Sequence, residues 1–226
     1  MKAILTSTSI TNIEGGVEQA EKMIGKSRSD INIAVINEAS AVEFCCHRWA
    51  ISTLTGLAEN FGGNIEIVHL FALSPEKIRE RLYAADMVFV LGGNTEWLKI
   101  VFDKTGVSGL IPEILKDKLY IGSSAGSMII GRQPSYKNQG KGYGATDFFG
   151  VESYLNLVDF AMLPHFDSKT KDCPRGLNWA IDESKSIDCP VYALSDSAAV
   201  VINGSEIYQI GEDYLKLING EISERG

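Results

Sequence analysis

The chain of 226 residues has the length and composition of one globular domain. Hydrophobic residues make up 45% and charged residues 22%, which argues against disorder. The 21 basic and 29 acidic residues leave a net charge of −8, which would repel a phosphate backbone and so disfavours nucleic acid as a partner. Neither an apolar run of about 18 residues nor a signal-peptide pattern is present. We therefore expect a single cytoplasmic domain over residues 1–226 with no membrane partner.

The four cysteines do not form a recognisable framework. They are Cys45, Cys46, Cys173 and Cys189, and no two of them have C-x-x-C spacing. A disulfide scaffold is therefore not expected, and no cluster of His, Cys and carboxylate residues has the spacing of a metal site. We expect neither a metal nor another cofactor.

Short apolar runs alternate with helical patterns through the first half of the chain. The predicted strands cover residues 2–6, 31–36, 64–70, 86–91 and 118–121, and the predicted helices cover 16–25, 42–60, 75–84 and 96–115. Strand–helix–strand repetition of this kind predicts an α/β fold of three layers, in which a mostly parallel sheet is covered by helices on both faces.

The end of the chain has a different pattern. Apolar runs at 198–203, 206–211 and 214–219 are separated by Asn203-Gly204 and Gly211-Glu212-Asp213, which are typical hairpin turns. They predict antiparallel hairpins at the sheet edge or on a small side sheet. Residues 133–150 are rich in glycine and lack apolar periodicity, which is typical of a binding loop or lid.

Residues 122–126 read Gly-Ser-Ser-Ala-Gly and fit the pattern G-x-S-x-G, with Ser124 at the centre. The pattern lies between a predicted strand and a predicted helix, as in a nucleophile elbow, where small neighbours allow a sharp turn that exposes the serine. The amide of Ala125, at the start of the helix, would then face a developing oxyanion. The alternative is a glycine-rich turn that packs closely or holds an anion.

A second glycine turn follows the preceding strand. Gly92 and Gly93 lead into Asn94 and Thr95, and in a parallel sheet this turn and the Ser124 turn lie at the same edge. The amides of Gly92 and Gly93 could supply a second oxyanion donor. The alternative is a turn in which Asn94 or Thr95 caps the next helix.

A nucleophilic serine needs a base, and the chain has three histidines. His47 lies in a helical pattern and His69 in a strand run, where structural roles are commoner. His165 follows an apolar run that ends in Pro164, so it occupies the strand-end position expected of a catalytic imidazole.

The base in turn needs a carboxylate that orients it. The candidates are Asp147, Asp167 and Asp196. Asp196 follows another buried strand at the same predicted sheet edge, Asp167 is only two residues from His165, and Asp147 belongs to the irregular loop. A helix cap or a turn residue is the alternative role for each.

Four segments together resemble peptidase family S51, the serine peptidases of the dipeptidase E (aspartyl dipeptidase) type, to which cyanophycinase also belongs. They are Leu-Gly-Gly-Asn-Thr at 91–95, Gly-Ser-Ser-Ala-Gly at 122–126, Leu-Pro-His-Phe at 163–166 and Ala-Leu-Ser-Asp at 193–196. The resemblance is detailed from about residue 86 to 201 and looser before it.

The resemblance implies a flavodoxin-like or class I glutamine-amidotransferase-like fold and a Ser-His-acid triad. It assigns Ser124 as nucleophile, His165 as general base and acid, and Asp196 as the third member, where the family commonly has Glu. The amides of Gly93 and Ala125 would form the oxyanion hole. The implied reaction is hydrolysis of small peptides through an acyl-enzyme.

The resemblance also implies a cation for an aspartyl substrate. Gly92, Asn94 and Arg175 are the candidate substrate-binding residues, with Arg132, Lys137 and Lys141 as further cations. The basic pattern that the family has after the histidine is not clearly reproduced, so the preferred residue at the scissile bond stays open, as does the oligomeric state, a homo-oligomer included.

Two other functions compete with this interpretation. A non-catalytic ligand-binding or regulatory module could keep the same scaffold, and the replacement of Glu by Asp196 leaves that alternative open. A glutaminase-like amidotransferase would need cysteine at position 124, where this chain has serine.

Overall fold

The computed structural model of the protein describes residues 1–43, 47–132, 150–169 and 175–226. The strands within these ranges are β1 (Lys2–Thr6), β2 (Ile33–Ile36), β3 (Ile65–Ile67), β4 (Met87–Val90), β5 (Leu119–Ser123), β6 (Ala161–Pro164), β7 (Val191–Leu194), β8 (Ala198–Asn203), β9 (Glu206–Gly211), β10 (Tyr214–Ile218) and β11 (Glu221–Arg225). The α-helices are α1 (Gly16–Ile24), α2 (Arg48–Asn60), α3 (Pro75–Ala84), α4 (Thr95–Thr105), α5 (Val107–Asp117), α6 (Ala125–Met128) and α7 (Leu177–Ser184).

The strands form two sheets. The larger has the order β3-β2-β4-β5-β1-β8-β9, in which the first five strands are parallel and the last two antiparallel. The smaller has the order β11-β10-β7-β6, in which β6 and β7 are parallel and the other pairs antiparallel. In the larger sheet, β1, β4 and β5 therefore end at one edge, and in the smaller sheet β6 and β7 do the same.

The larger sheet has a hydrophobic core on each face because its strands are buried on both sides. Ile4, Phe89 and Ile121 pack with residues of α1 and α2 on one face. Leu5 and Val90 pack with residues of α3, α4 and α5 on the other. Alternate side chains of one strand thus enter opposite cores, which explains the nearly continuous apolar sequences of these strands.

The smaller sheet packs against the second of these cores. Met162 of β6 and Tyr192 of β7 belong to the core that contains α4 and α5. Leu163 and Ala193, on the opposite face, pack with Ala180 of α7 in a third core. The two sheets are thereby held together through one shared hydrophobic core.

The expected fold class is confirmed: a mostly parallel central sheet is covered by helices, and antiparallel strands end the chain. The carboxyl-terminal hairpins divide between the two predicted locations, because β8 and β9 extend the larger sheet whereas β10 and β11 belong to the smaller one. Helix α3 has its predicted bounds, with Ser74 as N-cap accepting a hydrogen bond from the Lys77 amide and Pro75 in the first turn.

The single helix predicted over residues 96–115 is wrong. Two helices, α4 and α5, meet at Gly106, which has a φ of +79° and ends α4. Glycine takes this left-handed conformation without the cost that a side chain would add, so it allows the chain to turn between helices. Other bounds differ as well: α2 begins at Arg48 rather than at residue 42, β2 begins at Ile33 rather than at residue 31, and β3 is limited to Ile65–Ile67. The bounds of β4 and β5 differ by one or two residues.

Candidate active site

Ser124 lies on a sharp turn between β5 and α6. Its φ of 48° and ψ of −107° are uncommon for a residue with a side chain and store strain in the turn. A Cβ added to Gly122 would lie 2.4 Å from the carbonyl oxygen of Gly126, and one added to Gly126 would lie 2.1 Å from that of Val90. Both glycines of the G-x-S-x-G pattern are therefore required by close backbone approach, as a nucleophile elbow demands.

His165 and Asp196 approach Ser124 from the smaller sheet. His165 follows β6, Asp196 comes two residues after the end of β7, and Ser124 follows β5 of the larger sheet. The Nε2 atom of His165 lies 3.2 Å from the Oγ of Ser124, and its Nδ1 lies 2.5 Å from the Oδ1 of Asp196. The three side chains thus form a continuous hydrogen-bonded chain from hydroxyl to imidazole to carboxylate.

The two contacts of the imidazole fit one tautomer of its neutral form. When Nδ1–H donates to the carboxylate of Asp196, Nε2 is left as an acceptor for the hydroxyl of Ser124. A general base for a serine needs this tautomer. The side chain of His165 is 29% exposed and that of Asp196 is 58% exposed, so water reaches the carboxylate of Asp196 more easily than the imidazole of His165.

The other candidate bases and acids lie elsewhere. His47 immediately precedes α2, where its ring meets that of Trp49 edge-on with centroids 6.2 Å apart, and His69 lies beyond the end of β3. Asp167 is exposed two residues after His165, and it is Asp196 that contacts the imidazole. Asp147 lies outside the described residues, as do residues 133–149 of the predicted lid.

The second glycine turn lies directly against Ser124. A Cβ on Gly92 would be 3.1 Å from the Cβ of Ser124, and one on Gly93, whose φ is +133°, would be 2.3 Å from the carbonyl oxygen of Ala39. Within the described part of the chain, the amides of Gly93 and Ala125 donate to no acceptor. No described group therefore competes for these two amides, and their role as oxyanion donors stays a prediction.

Asn94 ends this turn as the N-cap of α4. Its Oδ1 accepts a hydrogen bond of 2.9 Å from the amide of Trp97, and its own amide donates to the carbonyl of Ala39 at 2.8 Å. The side-chain oxygen of Asn94 therefore caps the helix, as the alternative role for this residue predicted. Direct contact of Asn94 with a substrate stays a prediction.

The candidate cations have different surroundings. Arg175 donates from Nη1 to the carbonyl oxygen of Pro164 at 2.9 Å, and its guanidinium carbon lies 5.2 Å from the ring centroid of Trp179. The guanidinium of Arg175 is thus next to the backbone of His165, where it binds the carbonyl oxygen of Pro164 and packs on the ring of Trp179. Arg132 pairs with Asp188 at 3.4 Å. Lys137 and Lys141 lie outside the described residues.

Sequence reasoning missed residues that surround the site. Ser7 and Thr8, immediately after β1, contact the backbone of His165 and of Asp196. Trp49 is 37% exposed, and its indole would lie 3.7 Å from a Cβ on Gly92, beside Ser124. The signal for Ser7 and Thr8 was available, since polar residues after a parallel strand converge at the ligand-binding edge.

The described residues contain neither a metal-binding cluster nor a membrane-spanning helix. No group of three or more His, Cys, Asp or Glu side chains among them is placed to hold a metal ion. No helix in the same ranges is long and apolar enough to cross a membrane.

Comparison with curated proteins finds relatives named as peptidases. An uncharacterized peptidase of Listeria monocytogenes is 30% identical over 154 residues, which cover 66% of this chain and 72% of that protein. One of Listeria innocua is 31% identical over 150 residues, covering 66% and 67%. A third, of Pasteurella multocida, is 34% identical over 106 residues, covering 46% and 51%.

Comparison with solved structures gives a consistent result. A protein of Listeria monocytogenes assigned as a peptidase E superposes with a TM-score of 0.70 at 26% identity, covering 93% of this chain and 98% of that one. A peptidase of an acI-B1 actinobacterium gives a TM-score of 0.66 at 15% identity, covering 98% and 95%, and shares the fold. The profile of peptidase family S51 matches residues 3–210. The chain therefore belongs to peptidase family S51.

Proposed function

We propose that this family member is a serine-type peptidase that cleaves small peptides through an acyl-enzyme. The observation that carries the proposal is the chain of contacts from Ser124 Oγ to His165 Nε2, 3.2 Å, and from His165 Nδ1 to Asp196 Oδ1, 2.5 Å. Nucleophilic catalysis needs a nucleophile and a base within hydrogen-bond distance of each other, and a third group that orients the base.

The proposed reaction begins with attack of the Ser124 oxygen on the scissile carbonyl carbon while His165 Nε2 takes the hydroxyl proton. The carbonyl oxygen becomes an oxyanion, which the amides of Gly93 and Ala125 stabilise. His165 then protonates the leaving amine as the C–N bond breaks, and the acyl group stays on Ser124. A water molecule, deprotonated by His165, attacks this ester, and a second tetrahedral intermediate forms. The bond between the Ser124 oxygen and the acyl carbon then breaks, His165 returns the proton to Ser124, and the carboxylic acid product leaves.

The carboxylate of Asp196 acts through His165. It fixes the tautomer that leaves Nε2 unprotonated and stabilises the imidazolium formed in each step. It does so without becoming protonated, so protons move only between Ser124, His165, the substrate and the attacking water. The proposed mechanism needs no metal or other cofactor.

The dipeptidase specificity is proposed from the family resemblance rather than from a described pocket. A panel of dipeptides that vary at the first residue, Asp included, together with longer peptides, tests it by kcat/KM. Discrimination of at least about tenfold for dipeptides, equivalent to about 1.4 kcal/mol in transition-state binding, supports it. Equal cleavage of long peptides contradicts the dipeptidase assignment but leaves the peptidase assignment intact.

The nucleophile is tested by labelling with a fluorophosphonate, which reacts with activated serines. We expect labelling of the wild-type protein at Ser124 and loss of both labelling and hydrolysis in Ser124→Ala. Ser123→Ala is the matched control, because Ser123 precedes the nucleophile at the end of β5 and is 4% exposed. If the folded wild-type protein is not labelled while a reference serine peptidase is, a non-catalytic ligand-binding module becomes the better interpretation.

A further inference from the structure

Ser7 connects the two sheets at the candidate active site. It follows β1 directly, is 1% exposed, and donates from Oγ to the carbonyl oxygen of Leu194 at the end of β7, 2.9 Å away. The same oxygen accepts a hydrogen bond of 3.0 Å from the backbone amide of His165. One buried hydroxyl thus joins the larger sheet to the ends of both parallel strands of the smaller sheet.

The backbone that Ser7 contacts is strained. His165 has a φ of 59°, which is uncommon for a residue with a side chain. Such a conformation persists only where surrounding contacts hold it. The amide of Phe166 donates to the carbonyl of Leu194 at 3.1 Å, so the turn is held on both sides of the histidine. The Ser7 contact ties the backbone of this turn to the end of β1, in the sheet that carries Ser124.

Thr8 makes the corresponding contact to the acid. Its Oγ1 donates to the main-chain oxygen of Asp196 at 2.9 Å. The side chain of Asp196 is 58% exposed, so burial does little to fix its position. The hydrogen bond from Thr8 to the backbone of Asp196 therefore limits how far the carboxylate can move from His165.

Thr6 makes the corresponding contact to the residue that carries the nucleophile, through its main chain. Its carbonyl oxygen accepts a hydrogen bond of 2.9 Å from the amide of Ser124, and its amide donates to the Oγ of Ser127 at 2.9 Å. These contacts fix the start of α6 against β1. Three consecutive residues, 6–8, therefore contact one after another the residues that carry the hydroxyl, the imidazole and the carboxylate.

We propose that residues 6–8, here called the β1 anchor, position the catalytic groups across the gap between the two sheets. This inference rests on the proposed function, because it assigns to Ser7 and Thr8 the placement of His165 and Asp196 relative to Ser124. The anchor is needed because the nucleophile and its two partners leave different sheets. A misplacement of about 1 Å can lower a rate about 10²-fold, so two hydrogen bonds can have a large kinetic effect.

The Thr8 contact is tested by two substitutions of similar size. Thr8→Val keeps the shape but removes the hydroxyl, whereas Thr8→Ser keeps the donor. We expect kcat to fall roughly tenfold in Thr8→Val with KM within about twofold, and Thr8→Ser to retain most of the wild-type kcat. Equal kcat in the two variants would overturn the role of Thr8.

The Ser7 contact is tested against a buried serine elsewhere. Ser7→Ala should lower kcat about tenfold to a hundredfold, with a smaller change in KM. Ser184→Ala is the matched control, since Ser184 is fully buried and its hydroxyl donates to the carbonyl of Ile181 at 2.9 Å within α7. Both variants should lower the melting temperature, but only Ser7→Ala should lower kcat. A wild-type kcat in Ser7→Ala, or an equal loss in Ser184→Ala, would overturn the proposal.

A measurement without substrate separates this inference from the proposed function. The Nδ1 proton of His165, in its short hydrogen bond to Asp196, should give a far-downfield proton NMR signal in the wild-type protein. Ser7→Ala and Thr8→Val should shift or broaden this signal, whereas Ser184→Ala should not. An unchanged signal in both variants contradicts the anchor even if the enzyme is active. A changed signal in a protein that cleaves no peptide supports the anchor and contradicts the proposed function.

Discussion

Replacing Asp196 by asparagine tests how much the exposed carboxylate contributes to catalysis. Asparagine has nearly the same shape, and its amide oxygen can still accept from Nδ1 of His165, so the tautomer need not change. What disappears is the negative charge that stabilises the imidazolium. We expect Asp196→Asn to lower kcat, but by less than Ser124→Ala or His165→Ala, because the nucleophile and the base take part directly in every step.

The magnitude follows from the geometry. The Nδ1–Oδ1 distance of 2.5 Å places the two charge centres about 4 Å apart. At that separation unit charges interact by about 1 kcal/mol in bulk water and about 4 kcal/mol near a protein surface. These limits correspond to roughly fivefold and 10³-fold in rate. With Asp196 58% exposed and His165 29% exposed, screening is partial, and we expect a loss of about 10²-fold.

The assay compares kcat and KM for one peptide across Asp196→Asn, Asp167→Asn and the wild-type protein. Asp167 is the matched control, because it is an exposed carboxylate two residues from His165. We expect Asp167→Asn to stay within about twofold of wild type, as exposed charges have small effects. Wild-type turnover in Asp196→Asn would refute the assignment of Asp196 as the acid and make Asp147 the next residue to test.

Two further predictions concern the scaffold. Gly126→Ala should lower the free energy of unfolding by about 1–3 kcal/mol and abolish labelling of Ser124, because the new Cβ would lie 2.1 Å from the carbonyl oxygen of Val90. Gly109→Ala is the control in α5, where a Cβ meets nothing within 4 Å, and it should raise the free energy of unfolding by about 0.5–1 kcal/mol. Thermal unfolding of the two variants tests this difference. Asp86 lies just before β4, at the sheet edge opposite Ser124. Its partial burial raises the pKa of its carboxyl group, but hydrogen bonds from Lys26, at 2.7 Å, and from the Asn32 amide, at 3.1 Å, outweigh this, and the pKa lies below its ordinary value. Since the pKa is lower in the folded state, this stabilisation is present above the unfolded pKa of about 3.9 and is lost as pH falls through the folded value. Asp86→Asn should therefore cost about 1–2 kcal/mol at pH 7 and progressively less as the pH is lowered below about 3.9, as urea unfolding would measure, with hydrolysis unchanged. A cost that does not fall with pH would contradict this account.

Elements with strong local signals could be predicted from the sequence. β1, β8, β9 and α3 have the bounds expected for them, because burial on both faces, Asn-Gly turns and a Ser-Pro cap are properties of neighbouring residues. The single helix over 96–115 was wrong because apolar periodicity continues across Gly106. Gly106 takes a left-handed conformation that ends one helix and begins the next, and periodicity alone does not show this.

The candidate site divides in the same way. The tight turn at Ser124 is local, since Gly122 and Gly126 lie two residues on either side of the serine, and the pattern therefore predicts it. The sequence also places His165 and Asp196 after buried strands. The prediction that Asp196 lies at the same sheet edge as Ser124 is wrong, because β6 and β7 belong to the smaller sheet and strand order depends on contacts between distant residues.

The sequence by itself determined the fold class, the acidic composition and the residue types able to perform acyl transfer, since these follow from composition, periodicity and short motifs. Only the tertiary structure decided which histidine contacts Ser124, which carboxylate contacts that histidine, and that Ser7 and Thr8 form hydrogen bonds to the backbones of the two. The physical reason is separation along the chain: Ser7 and His165 are 158 residues apart and Ser124 and His165 are 41 apart. Packing of two sheets on one hydrophobic core brings these residues together, and no local pattern encodes that contact.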